Sequence, residues 1–304
     1  MATSATPGAT PVELEGRSLA LTNLDKVLYP EAGFTKAAVI DYYLRIAPAL
    51  LPHLRRRDLT MVRWPDGVDG PSFFEKRCPP HAPDWVPRAE VEAGLTACVA
   101  DDLPTLVWVA NLAALELHTH QATVDDPDAP TSLVFDLDPG PPAGVLECAA
   151  VALELRDLLT GLGLAAVVKT SGGKGLHVGV PVRDATADET KAFAQALGML
   201  LERRDPTRVT TTMRRDRRAG KVFVDWSQND RHKTTVAVYS LRARPRPTVS
   251  TPVRWDEVAD ALAAADPARL TFEAPEVLAR FDASGDLYAA NLTLEQRLPD
   301  LAPR

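Results

Sequence analysis

Residues 132–140 read SLVFDLDPG, a run that predicts a buried β-strand ended by Pro139 and Gly140. Successive side chains of a strand point to opposite faces, so Phe135 would point into the core while Asp136 and Asp138 share the other face. Two carboxylates so close together raise each other's pKa unless a cation lies between them. The stretch therefore predicts a sheet with one apolar face and a charged end.

The segments that follow this strand alternate between strands and helices without a regular order. A helix is expected over 144–160, and Thr186 with Glu189 forms a capping box for a helix through Leu201. The expected strands are AAVVKT (165–170), LHVGVPV (176–182), KVFVDW (221–226) and TTVAVYSL (234–241). Because neighbouring strands resemble hairpins, the sequence predicts an α+β fold with mixed or antiparallel sheets flanked by helices.

The chain before residue 130 contains fewer regular signals. Thr35 can cap a helix that begins at Lys36, which Pro48 and Pro52 should break or kink. Turns are expected over 19–30, strands over 59–64 and 72–76, a loop over 78–88, and helical spacing over 105–120.

This pattern predicts one domain over 16–304 after a disordered tail over 1–15. Within it we expect an N-terminal lobe (about 16–130), a catalytic core (about 131–260) and a C-terminal helical segment (about 261–304).

The composition limits the function classes. The 304 residues carry a net charge of −7, which argues against a protein that coats DNA indiscriminately but allows a local basic groove. No run of 18 apolar residues is present, so a membrane span is not expected. Cys78, Cys98 and Cys148 are scattered and odd in number, which indicates a reducing, cytoplasmic compartment. Cys78 and His81 have no second pair at zinc spacing.

A third acidic residue strengthens the interpretation of the first two. Asp225 ends the strongly β-type run KVFVD, where an uncompensated charge is costly. If that strand neighbours the first, three carboxylates converge, a layout that can hold two divalent cations such as Mg²⁺ or Mn²⁺. Two structural alternatives stay open: Asp before Pro-Gly is a common turn former, and Asp225 could face water on an edge strand.

A glycine-rich turn, SGGKGLH over 171–177, lies between these acidic strands in the chain. It lacks the spacing of a Walker A motif, but its free backbone N–H groups could face an anion. Ser171, Lys174 and His177 add donors and positive charge, which suits a triphosphate. A simple hairpin loop is the alternative.

In that order and at those separations, SLVFDLDPG, TSGGKGLHV, KVFVDWSQN and YSLRAR resemble the polymerase domain of bacterial ligase D, an end-joining protein of the archaeo-eukaryotic primase superfamily. LTNLDKVLYPEAGFTK and RWPDGVDGPSFFEK extend the likeness upstream, so that it covers about residues 18–260. The resemblance implies a primase-polymerase catalytic core and template-dependent transfer of nucleotides, with ribonucleotides and Mn²⁺ preferred, to a primer 3′-OH in short-gap filling or end joining.

The resemblance also implies roles for individual residues. It implies metal binding by Asp136, Asp138 and Asp225, and nucleotide binding by His118, Ser171, Lys174, His177, Gln228 and Arg242. It further implies that Lys26 and Lys36 bind a downstream 5′-phosphate, and that Phe73 and Phe74 stack near the template. Without it, the lysines are ordinary surface residues, and strand alternation would bury one Phe and expose the other.

The implied cofactors are two divalent cations, with a nucleoside triphosphate as substrate. The implied partners are gapped or broken DNA with a 5′-phosphate, an end-binding Ku protein and a separate ligase, for a monomer associated with the nucleoid. Since the chain stops at Arg304, a stand-alone relative is expected. A metal-dependent nuclease and a non-catalytic DNA-end-binding module remain the alternatives.

Overall fold

A computed structural model describes residues 8–300 of the chain. Within that range the helices are α1 (Lys36–Leu54), α2 (Leu103–Asn111), α3 (Val145–Gly161), α4 (Ala187–Arg204), α5 (Trp255–Ala263), α6 (Ala274–Ser284) and α7 (Ala290–Thr293). The strands are β1 (Ala9–Leu14), β2 (Arg17–Thr22), β3 (Val27–Tyr29), β4 (Phe34–Thr35), β5 (Asp58–Arg63), β6 (Phe73–Glu75), β7 (Arg88–Glu92), β8 (Leu95–Val99), β9 (Ala114–Thr119), β10 (Ala122–Thr123), β11 (Asp126–Pro130), β12 (Ser132–Pro139), β13 (Val167–Thr170), β14 (Leu176–Pro181), β15 (Val209–Thr210), β16 (Val222–Asp225), β17 (Thr235–Val236) and β18 (Pro252–Val253).

Two six-stranded sheets organise the molecule. The first has the order β15-β16-β12-β14-β13-β18 and is antiparallel except where β15 meets β16. The second has the order β17-β9-β5-β8-β7, with β6 added to β5. The expected α+β class with largely antiparallel sheets is confirmed.

The first sheet is built around the stretch that opens the sequence argument. Helices α3 and α4 pack against β12, and Phe135 and Leu137 are fully buried there. The other face of β12 carries the two aspartates, as strand alternation requires. Strand β17, which follows residue 131, joins the second sheet by pairing with β9, so that sheet includes a strand from beyond the lobe boundary expected near residue 131.

Buried tyrosines tie helix α1 to the rest of the fold. The hydroxyl of Tyr43 donates to the Leu115 carbonyl at 2.8 Å and accepts from the Leu241 amide at 3.1 Å. The Tyr42 hydroxyl donates to the Tyr239 carbonyl at 2.8 Å. These bonds join segments distant in the chain, and burial raises the pKa of both hydroxyls so that they stay protonated.

Several local expectations are wrong. The predicted tail contains a strand, because Ala9–Leu14 pairs with β2; residues 1–7 lie outside the described range. The segment expected as turns over 19–30 contains β2 and β3. Of the two effects expected of Pro48 and Pro52, a break does not occur: helix α1 continues through both, since its buried face outweighs the lost backbone hydrogen bonds.

Two further corrections concern contacts across the sequence. The stretch 105–120 is not one helix: α2 stops at Asn111, Ala113 takes a left-handed backbone conformation (φ 56°), and β9 follows. Cys78 and Cys98 form a disulfide, contrary to the expectation of free thiols. The hydrogen bond from the Cys78 amide to the Thr96 carbonyl, 2.8 Å long, holds the loop beside β8.

Within residues 8–300, no helix has both the length and the apolar character that crossing a bilayer requires.

We expect Tyr43→Phe to lower the free energy of unfolding by about 1–3 kcal/mol, because the Leu115 carbonyl and the Leu241 amide both lose their partner in a buried site. Tyr42→Phe removes a single bond and should cost less. Urea denaturation of the two variants measures the difference. Equal losses would contradict the bridging role of Tyr43.

Candidate active site

Three carboxylates meet at one end of the first sheet. In the antiparallel register of β12 and β16, Asp136 lies opposite Asp225, and Asp138 lies opposite Phe223. Directly opposed residues have Cβ atoms about 4.5–5.5 Å apart on the same face. Asp138 shares that face because it is two residues from Asp136. The structure therefore brings together the three acidic residues on which the sequence argument rests.

The carboxylates interact electrostatically. Burial, followed by the charges of Asp138 and Asp225, raises the pKa of Asp136 well above its ordinary value. Desolvation and the charge of Asp225 also raise the pKa of Asp138, which faces solvent at the strand end. Both shifts have the sign expected of desolvated carboxylates that lie beside other carboxylates.

Asp225 is held by the chain that follows it. Its Oδ1 accepts hydrogen bonds from the Ser227 amide at 2.9 Å and the Ser227 hydroxyl at 2.5 Å. The side-chain amide of Gln228 lies 3.4 Å from Oδ2. Gln228 therefore contacts a carboxylate directly, in addition to facing the cavity described below.

The donor set suits a hard divalent cation, because carboxylate oxygens are the ligands that Mg²⁺ and Mn²⁺ prefer. Among residues 8–300, the side chains as they stand form no group of three His, Cys, Asp or Glu ligands around one ion position. The fit is therefore one of charge and donor chemistry.

His177 lies beside the acidic cluster. Its Nε2 is 3.3 Å from Oδ1 of Asp136, and its Nδ1 is 3.1 Å from Nζ of Lys169. Burial, with smaller effects from Lys169 and other cations, lowers the pKa of His177 well below its ordinary value, so the ring is neutral. Lys169 was missed by the sequence argument, although a lysine inside the apolar run AAVVKT was a visible signal.

A buried glutamate holds two of the predicted nucleotide-binding residues. Glu116 places Oε2 3.1 Å from Nε2 of His118 and Oε1 3.0 Å from Nε of Arg242. Burial alone would raise the pKa of Glu116, but the His118 hydrogen bond and the Arg242 charge outweigh it and lower the value to about 2. Glu116 was also missed, since it lies in the stretch expected to be helical.

The glycine-rich turn is shaped by its own serine and by a close neighbour. The Ser171 hydroxyl accepts from the amides of Gly173 and Gly175 at 3.2 and 3.1 Å. Gly172 has φ +67°, and a Cβ there would lie 2.6 Å from the Arg242 side chain. The Nη1 of Arg242 donates to the Ser171 carbonyl at 2.7 Å. The turn and Arg242 thus form one packed unit.

A cavity of about 220 Å³ joins these groups. The predicted residues that line it are His118, Asp136, Asp138, Ser171, Lys174, His177, Gln228 and Arg242. Arg244 also lines it and adds a cation that the sequence argument did not single out individually. Acidic and basic groups therefore face the same space.

The two lysines predicted to bind phosphate lie together. The Lys36 amide donates to the Lys26 carbonyl at 2.8 Å. Nζ of Lys26 is 2.7 Å from Oδ1 of Asp66, and Nζ of Lys36 donates to the Thr22 hydroxyl at 3.2 Å. Burial, then the charges of Lys26 and Arg63, lowers the pKa of Lys36 to about 8. The positive charges of Lys26 and Arg63 thus disfavour a proton on Lys36, at a site suited to an anion.

Both phenylalanines of β6 are exposed, which corrects the expectation that one is buried. Phe73 is 44% exposed and Phe74 is 66% exposed, because β6 pairs with β5 alone. The Arg63 guanidinium lies 5.1 Å from the centre of the Phe73 ring. The Phe74 ring meets the His118 ring edge-on at 6.3 Å. The pair therefore lies between the lysine pair and the cavity.

Comparison with known proteins shows what this chain is similar to over most of its length. The family model of the LigD primase-polymerase domain matches residues 35–288. The multifunctional non-homologous end joining protein LigD of Mycolicibacterium smegmatis is 44% identical over 275 residues, which cover 88% of this chain and 35% of that protein. The bifunctional non-homologous end joining protein LigD of Bacillus subtilis is 33% identical over 246 residues, covering 80% of this chain and 40% of that protein.

A solved structure matches as well. The polymerase domain from Mycobacterium tuberculosis ligase D, in complex with DNA, is 41% identical and superposes with a TM-score of 0.83, covering 90% of this chain and 98% of that one. The chain spans 35–40% of the length of the two curated relatives described above.

We expect Mn²⁺ to raise the melting temperature at pH 7.5, since a cation at 100 times its Kd stabilises the folded state by about 2.7 kcal/mol.

Because the folded pKa values of Asp136 and Asp138 are raised, metal-free protein should gain stability from this cluster as pH falls through those values and lose it above them.

Asp136→Asn should raise the metal-free melting temperature and abolish the Mn²⁺ shift. Asp157→Asn, an exposed aspartate on α3, should leave the shift unchanged. Differential scanning calorimetry with and without EDTA measures both. An undiminished shift in Asp136→Asn would rule out the carboxylates as the metal site.

Proposed function

The chain belongs to the family of LigD primase-polymerase domains, which are nucleotidyltransferases, and we propose that it adds nucleotides to a primer 3′-OH opposite a template in short-gap filling or end-joining repair. The observation that carries the proposal is the arrangement of Asp136, Asp138 and Asp225 on one face, beside a cavity that also holds Lys174 and Arg242. Carboxylates and cations around one space suit phosphoryl transfer.

The acidic residues would hold two divalent cations, Mn²⁺ or Mg²⁺. When bound, such cations lower the pKa of an attacking hydroxyl and offset charge on the transferred phosphate. The chain's own contribution is to fix Asp136 and Asp225 by the sheet register and to keep Asp225 in place through Ser227. Because these carboxylates are in position before the reaction begins, no free energy is spent on reorienting them during it.

The triphosphate would lie against the basic wall of the cavity. Lys174 is exposed at the turn, and Arg242 and Arg244 face the same space. Glu116 holds Arg242 and His118 at fixed positions, so that both can contact phosphate oxygens without losing side-chain entropy on binding. Ser171 and His177 face the cavity as well, and Gln228 lies beside Asp225.

DNA would be held at two further places. Lys26 and Lys36 form a cationic site for the 5′-phosphate on the far side of a gap, and an arriving phosphate would relieve their mutual repulsion. Phe73 and Phe74 offer exposed rings on which template bases can stack. The M. tuberculosis relative was solved in complex with DNA, which supports DNA as the substrate to test. The lysine pair makes a gapped duplex with a 5′-phosphate the first choice.

Three further features are proposed by analogy with the family and not from the geometry. They are a preference for ribonucleotides and Mn²⁺, cooperation of a monomer with a Ku protein and a DNA ligase, and a cytoplasmic location at the nucleoid. The single domain with three parts stays a prediction of the sequence pattern. Primer extension with each sugar and each metal tests the first, on gapped, overhanging and blunt substrates.

Two other functions make different predictions. A metal-dependent nuclease would shorten labelled DNA without added nucleotides, yet has little need for the cationic turn at Lys174. A DNA-end-binding module would bind ends without turnover under any metal. Extension of a labelled primer only when nucleotides are present would exclude both.

We expect Asp136→Ala or Asp138→Ala to reduce primer extension by at least about 1,000-fold, equivalent to about 4 kcal/mol of lost transition-state stabilisation. Binding to gapped DNA should stay within about two-fold, because the lysine pair and the phenylalanines are untouched. Single-turnover extension and fluorescence anisotropy measure the two effects. Asp157→Ala serves as the control, and normal incorporation by either cavity variant would contradict the metal assignment.

We expect the ratio of extension on 5′-phosphorylated to unphosphorylated gaps to fall between pH 7 and pH 9. The pKa of Lys36 is lowered to about 8, so Lys36 is charged below that pH and loses its charge above it. The 5′-phosphate, with a second pKa of about 6, stays dianionic over this range.

Lys36→Met should give a low ratio that no longer depends on pH. Lys26→Met removes a charge that lowers the Lys36 pKa, so it should keep the dependence and move its midpoint to higher pH. The double variant should show no preference. Equal activity of the parent protein on both gaps would remove the basis for this site.

A further inference from the structure

Lys26 has an anionic partner at the proposed site for the 5′-phosphate. Its Nζ lies 2.7 Å from Oδ1 of Asp66. Lys36, the other lysine of the pair, donates instead to the neutral hydroxyl of Thr22. A phosphate that is to contact Lys26 must therefore compete with a carboxylate of the chain itself.

The position of Asp66 is determined by a turn in the loop between β5 and β6. The Gly67 amide donates to the Trp64 carbonyl at 3.1 Å, which closes a β-turn with Pro65 and Asp66 at its centre. Proline presets its own backbone conformation for the first central position of such a turn. The Asp66 carboxylate therefore extends from a backbone whose course is defined by local hydrogen bonding.

The same turn packs on the strand that follows Lys26. The Val68 amide donates to the Leu28 carbonyl at 2.8 Å. Gly67 has φ +86°, and a Cβ there would lie 2.9 Å from the Leu28 carbonyl oxygen, so the close approach requires glycine. The backbone thus brings Asp66 next to Lys26, which precedes Leu28 by two residues. Their ion pair is a consequence of how the loop packs on β3.

The Asp66 side chain is nevertheless free to turn away from Lys26. The Asp66 side chain is 68% exposed and the Lys26 side chain is 39% exposed, so water can solvate both charges when they separate. Exposed ion pairs are weak. A terminal phosphate carries a charge of nearly −2 at neutral pH, against −1 for a carboxylate. It can also contact both lysines at once, whose charges are close enough to interact.

We propose that Asp66 is a displaceable competitor for the 5′-phosphate: it pairs with Lys26, a terminal phosphate has to displace it, and the hold of the protein on that phosphate is thereby weakened. This inference rests on the proposed function and deepens it, because it names a residue that sets the affinity of the 5′-phosphate site. A weaker hold favours release of the filled gap, and joining the filled strand requires that same 5′-phosphate.

Asp66→Asn in the full chain keeps the size of the side chain and removes its charge. Fluorescence anisotropy with a labelled gapped duplex that carries a 5′-phosphate should show binding about two- to five-fold tighter than that of the parent. Stopped-flow dissociation should slow by a similar factor. The ratio of affinities for 5′-phosphate and 5′-hydroxyl gaps should rise as well, because a hydroxyl has no charge with which to compete.

A double variant separates competition from a structural effect of the turn. If Asp66 acts through Lys26, then Asp66→Asn should have no effect on the affinity ratio in a Lys26→Met background. An equal gain with and without Lys26 would overturn the proposal.

Asp69→Asn is the matched control, because it removes the same charge from an exposed position of the same loop. It should leave the affinity ratio as in the parent. A gain equal to that of Asp66→Asn would assign the effect to the total charge of the loop and would also overturn the proposal.

The binding assay requires no nucleotide and no turnover, so its outcomes are distinct from those that test the polymerase. A chain that extends no primer but shows the Asp66 effect would refute the proposed function alone. A parent that prefers phosphorylated gaps, together with an unchanged ratio in Asp66→Asn, would refute the competitor role alone. Equal binding of both gaps by the parent would overturn the lysine site and the competitor role together.

Discussion

The pairing of β12 with β16 is the constraint on which the rest of the structure depends. It places Asp136 opposite Asp225, and it places like charges together where water is partly excluded. A slip of one residue would turn the carboxylates toward the apolar face that Phe135 and Leu137 occupy. The buried core therefore fixes a register that is electrostatically unfavourable by itself. The cost is offset by cations, some within the protein and others to be bound.

The internal cations are arranged so that each has a defined partner. Lys169 approaches the cluster through His177, without an ion pair of its own to Asp136. Arg242 approaches from the other side and is held by Glu116, whose lowered pKa keeps it ionised at neutral pH. Because each of these two cations contacts a partner of its own, neither forms a direct ion pair with the aspartates. The aspartates therefore keep their capacity for a divalent cation, and Arg242 remains directed at the cavity.

The sequence predicted the groups whose placement depends on local rules. Asp136 and Asp138 follow from strand alternation, and the Thr186 capping box is decided within a few residues. Glu116 could not be found in this way. The apolar stretch around it fits helical spacing, and only the left-handed turn at Ala113 and pairing with β5 make it a strand. Lys169 was missed because its contact with His177 depends on the pairing of β13 with β14.

The exposed β6 strand contacts two regions that are separate in sequence. Phe73 contacts Arg63, one of the charges that lower the Lys36 pKa, while Phe74 contacts His118 at the cavity. The two rings belong to successive residues of the strand, so they point to opposite faces of it. Both contacts rest on the β5–β6 register, which pairs Arg63 with Phe73 and Val62 with Phe74. The pairing of β5 with β6 thus relates the position of Lys36, through Arg63 and Phe73, to that of the cavity, through Phe74 and His118. A base stacked on these rings, as proposed above, would therefore lie at a position that the sheet determines.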